Sequence, residues 1–134
     1  MRTALLLACS AVLLGACSDH DEKVEEKLER SAETSATVAG PLPAALGLSE
    51  AQLIDAELVG SDGKELGDVA QVVRDAGGKV DRLLVELDGI GPDRYVHVPI
   101  TGLTKIARGD DIDLQSPMTK AELAALPEVK PPAK

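Results

Sequence analysis

The sequence contains no Phe and no Trp, and Tyr95 is its one tyrosine. A core built from it is aliphatic and forgoes the large burial contribution of aromatic rings. Cysteine is confined to Cys9 and Cys17. No disulfide can staple the body, and His97, the one histidine beyond His20, is too little soft ligand for structural zinc. Positive charge is scarce: 14 Lys and Arg stand against 23 acids, a formal net charge of −9. Nucleic-acid binding rests on Lys and Arg replacing phosphate counterions, so this balance excludes nucleic acid as a partner. It also argues against contact between the domain surface and anionic headgroups. Phosphate and cofactor signatures are missing as well. Gly89 and Gly91 lack the third glycine and the helix of a dinucleotide fingerprint, and no serine sits in a nucleophile elbow. The expectation is a protein that is not an enzyme and carries no cofactor. Its 134 residues fit one domain plus appendages.

The N-terminus has the pattern of an exported chain. Arg2 supplies a positive start, and Ala4 to Leu14 is an apolar run of signal-peptide length, too short to span a bilayer. Leu14-Gly15-Ala16-Cys17 follows. This resembles the lipobox of bacterial lipoproteins. The resemblance implies cleavage before Cys17, a lipid on its sulfur, and a membrane partner reached through that lipid. Each buried CH₂ contributes about 0.8 kcal/mol, so two or three acyl chains anchor stably. The implied location is the cell envelope, facing the periplasm. Ser18, rather than Asp, after the cysteine favours the outer membrane in that class.

From Ser18 to Gly47 the chain reads as a flexible acidic tether. Asp19 with Lys23 and Glu26 with Arg30 are acid-then-base pairs at i,i+4, but only Val24 and Leu28 offer an apolar stripe. A short fraying helix is expected there, then a small, polar linker over Ser31 to Gly40, with Pro41 and Pro43 beyond. About 30 residues of coil would span roughly 30 Å. The organisation expected is 1–16 signal peptide, 17–47 lipidated terminus and tether, 48–127 folded domain and 128–134 disordered tail.

Beyond Leu48 the pattern is β. Ile54 to Leu58 alternates apolar and polar, and Leu66 to Arg74, with Gly67 as a kink or bulge, Val80 to Leu87 and Arg94 to Val98 read as further strands. Ser61-Asp62-Gly63-Lys64 and Asp75-Ala76-Gly77-Gly78 are turns, and short strands flank Arg108-Gly109-Asp110-Asp111. In the third strand Leu83, Val85 and Leu87 share one face. In the fourth, Val96 and Val98 point inward, with Tyr95 and His97 on the exterior. Thr119-Lys120-Ala121-Glu122 is a capping box for a short helix closed by Pro127.

Five stretches together resemble the PRC-barrel domain, the module shared by the photosynthetic reaction-centre H subunit and ribosome-maturation factors. They are Leu58 to Val69, Asp75 to Val80, Gly89-Ile90-Gly91, Val96-His97-Val98-Pro99 and Lys120 to Pro127. The resemblance implies a mainly β protein: a small barrel of about six strands with a short C-terminal helix. It implies a non-catalytic adaptor that docks on another protein, here one of the envelope. Ile100 stands where the family often has an aromatic residue.

Two sets of residues are candidates for binding. Tyr95 and His97 form a possible interaction face on the barrel exterior. Asp110, Asp111 and Asp113 cluster after Gly109, and Asp88 with Asp93 brackets another acidic loop. Clustered carboxylates suit a hard divalent cation, although the spacing is not that of an EF-hand. Divalent-cation or small-ligand sensing is therefore the alternative to protein docking.

Overall fold

The computed structural model describes residues 19–91 and 94–131. Cys17, the apolar leader, Asp93 and the last three residues lie outside this range.

Helix α1 (Asp19–Ala39) comes first, then a hairpin of β1 (Pro43–Ala45) and β2 (Leu48–Ser49). Helix α2 (Glu50–Ile54) leads into a single seven-stranded sheet. Its strands are β3 (Glu57–Val59), β4 (Glu65–Arg74), β5 (Val80–Leu87), β6 (Arg94–Pro99), β7 (Thr104–Arg108), β8 (Asp111–Gln115) and β9 (Glu128–Val129), with helix α3 (Lys120–Ala124) before the last. Strand order is β7-β8-β3-β4-β5-β6-β9, antiparallel except for the parallel pair β3–β8. The expectation of a mainly β fold holds, with seven strands in place of about six.

The sheet encloses one aliphatic core. Leu58, Leu66, Val69, Leu83, Val85, Leu87, Val96, Val98 and Leu114 come from its inner face, and Leu53 and Leu123 close it from α2 and α3. The alternation read in β5 and β6 is what puts these residues inside. The Thr119–Glu122 capping box forms in both directions. It starts α3, whose Leu123 is fully buried.

Four expectations need correction. Residues 19–39 form one continuous helix rather than a short fraying helix and a linker. Leu28, Ala32 and Ala36 recur every four residues and are all buried, with Val24 packed beside them. Alanines counted as linker composition thus complete a packing stripe. Ile54 to Leu58 is not one strand. Ser49 accepts from the Gln52 amide and Gln52 caps Ser49 in return, which nucleates α2 ahead of a shorter β3. Residues 43–49, inside or bordering the expected tether, make a hairpin whose turn residues Leu46 and Gly47 have φ of 54° and 72°. Positive φ at both positions is the type I′ geometry that matches strand twist. Finally, Glu128 and Val129 pair with Val96 and Tyr95, so the tail begins as an edge strand.

Arg94 ties this end together. Its guanidinium donates to the Ala124 carbonyl at 2.8 Å and to that of Leu126 at 3.2 Å. A cation at a helix C-terminus satisfies carbonyls that have no helical partner.

Candidate functional site

The site grows from one register row on the outer face of the sheet. Glu57 pairs with Asp68, Asp68 with Glu86, Glu86 with Tyr95, and Tyr95 with Val129. Three carboxylates therefore stand directly opposite one another on successive strands, an arrangement that opposes sheet formation. The two outer acids have compensation. Arg108 lies 3.6 Å from Glu57, and the Tyr95 hydroxyl donates to Glu86 at 3.1 Å. Burial, followed by the nearby Asp88 charge, raises the Asp68 pKa.

Helix α1 lies over this row. Leu28 packs with Leu84 and Tyr95, and Val24, Ala70, Val73 and Val129 extend the seam. Alongside the seam is a cleft of about 360 Å³. Glu25, Glu29 and Glu33 line it from the helix, Asp68 and Glu86 from the sheet, and Asp55 from the end of α2. Its charged lining residues are all acidic. A cleft of one sign walled by protein focuses the field and concentrates counter-charge.

Next to the cleft, carboxylate oxygens of Glu65, Asp68 and Asp88 lie within 4.8 Å of one another. Glu65 has its pKa raised by Glu57 and then by Asp88. This is where acids converge among the described residues. Asp110 and Asp111 are exposed on the β7–β8 turn, and Asp113 is buried against the Arg108 guanidinium at 3.0 Å. Only Asp88 of the acids singled out from the sequence joins the group.

Tyr95 and His97 part company in the structure. Tyr95 is buried beneath α1, not exposed on the exterior, because the helix covers that face. His97 is half-buried and does not line the cleft. Burial lowers its pKa, and Arg82 lowers it further. The sequence reading missed Glu25, Glu29 and Glu33. Their spacing at i, i+4, i+8 was the available signal, since it places them on one side of any helix that continues past Arg30.

A mostly antiparallel sheet around an aliphatic core, with a charged cleft on its outer face, defines a small β-barrel module. A family model for the PRC-barrel domain matches residues 49–117, and the chain belongs to that family. No curated protein matches the chain. Among the described residues no helix is long and apolar enough to cross a membrane.

Proposed function

We propose that the protein is an envelope lipoprotein, anchored through Cys17, whose barrel is a non-catalytic docking module for another envelope protein. The observation that carries the docking reading is the acidic cleft between α1 and the sheet, with six carboxylates on its walls. It suits a basic segment of a partner. Long cationic side chains would neutralise the opposed acids. The lipobox at Leu14 to Cys17 supports anchoring, and adaptor use of the PRC-barrel elsewhere supports docking.

Crosslinking in intact envelopes, compared between the native chain and Glu29→Lys/Glu33→Lys, tests this. A specific adduct lost in the variant is expected. An unchanged adduct pattern would remove the cleft from the reading.

A second reading, divalent-cation sensing, draws on the convergence of Glu65, Asp68 and Asp88. A hard cation takes six to eight oxygens and would relieve the repulsion among these groups. Calorimetry of the full chain with millimolar Ca²⁺ decides it. Heat and a raised melting temperature, both lost in Asp68→Asn, are required.

A further inference from the structure

The two long sides of α1 carry opposite charge. One faces the cleft with Glu25, Glu29 and Glu33. The other bears a shallow groove lined by Lys27, Arg30, Ser31, Thr34, Ser35 and Val38, with no acid. Lys23 stands one turn before Lys27 and belongs to the same row. Val38 is 83% exposed and Leu42 is 72% exposed, the two large hydrophobic residues left most open among the described residues. The net charge of the chain is therefore not spread evenly. Six of its 23 acids line the cleft, and part of its small stock of bases is set on the far side of one helix.

We propose that the Lys27–Arg30–Val38 side of α1 rests on the anionic headgroup surface of the membrane that holds the Cys17 lipid. The proposal depends on the lipid anchoring put forward above. Chain length is its first support. Cys17 precedes Asp19 by two positions, so the acylated sulfur lies within roughly 7 Å of chain from the helix start. The 21-residue helix extends about 31 Å further, so the leash keeps its first turn at the lipid surface, and the rest of the basic side meets that surface when the helix lies flat on it. Charge complementarity is the second. Each Lys or Arg near an anionic leaflet strengthens partitioning roughly fivefold. The pairing of Arg30 with Glu26 at 2.6 Å does not compete seriously, because both side chains are exposed and such pairs contribute little. Val38, in the same groove, adds apolar contact at the headgroup boundary. Lying this way, the helix holds the barrel on its far side and turns the cleft toward the aqueous compartment.

The test uses the full chain, lipidated and reconstituted in vesicles. Cys9 and Cys17 both precede α1, so Val38→Cys gives a unique free thiol once the leader is removed and Cys17 is acylated. A fluorophore there is compared with one at Ala107→Cys on the exposed edge strand β7. On phosphatidylglycerol-containing vesicles, the label at 38 should be shielded several-fold from an aqueous quencher and the label at 107 should not. Lys27→Glu/Arg30→Glu or high salt should abolish that shielding while the protein still floats with the vesicles.

A floating, lipid-modified chain with equal quenching at both sites overturns the docking and leaves the anchor standing. Equal shielding on phosphatidylcholine vesicles, or in the charge-reversed variant, also overturns it. So does shielding in detergent without vesicles, which would mean a second copy or another protein covers the face. A chain whose Cys17 carries no lipid by mass spectrometry overturns anchor and docking together.

Discussion

Gly67 shows how tightly β4 and β5 approach. A methyl group added there would fall on the Glu86 backbone carbonyl, which cannot move without breaking the ladder. Gly67→Ala should destabilise the domain by about 2 kcal/mol or more, read from urea unfolding. Glu50 poses a different problem. Its carboxylate is 3% exposed and meets Arg74 at 2.6 Å. Arg74→Ala would leave a buried charge alone. Breaking such pairs costs about 3–5 kcal/mol, and the partial exposure of Arg74 puts the expected loss at the low end. Titration adds a third expectation. The raised pKa values of Glu65 and Asp68 mean that the folded state binds these protons more tightly than the unfolded state. Their repulsion is fully felt at neutral pH and relaxes as pH falls through the raised folded values toward the ordinary carboxylate range. Asp68→Asn should therefore melt higher than the native chain at neutral pH, and the gap should narrow on acidification. Glu122 works in the opposite sense. Its capping bonds to Thr119 lower its pKa, so its contribution is lost only at the acid end.

At the level of elements, the strands were legible and the helices only in part. Alternation located β5 and β6, because one buried face imposes a period of two, and flanking turns located β4. The Thr119 capping box located α3. Two signals were masked by composition. Ala32 and Ala36 resemble linker residues unless their spacing from Leu28 is counted, and the Ser49–Gln52 box was hidden by the apolar alternation just after it. Site residues were the least legible. Opposition of Glu57, Asp68 and Glu86 depends on strand register, which shifts at Val69/Gln71 within β4–β5 pairing. No local pattern reports that. The burial of Tyr95 likewise depends on where α1 lands. Leu28→Ala should weaken that landing by about 2 kcal/mol. Amide exchange should then quicken over 24–36 while β5 and β6 stay protected.

For the molecule as a whole, the division of charge across α1 matters more than the net −9. An evenly acidic surface would be repelled from an anionic leaflet, whereas this one has a side for it and a side against it. The barrel core is built without aromatic rings, mainly from leucine and valine with isoleucine, alanine and methionine at its margins. That leaves Tyr95 as the molecule's sole source of ultraviolet emission, seated between the sheet and Leu28. Near-ultraviolet dichroism and tyrosine fluorescence of the unlabelled protein thus amount to a built-in gauge of one event, the lifting of its first helix.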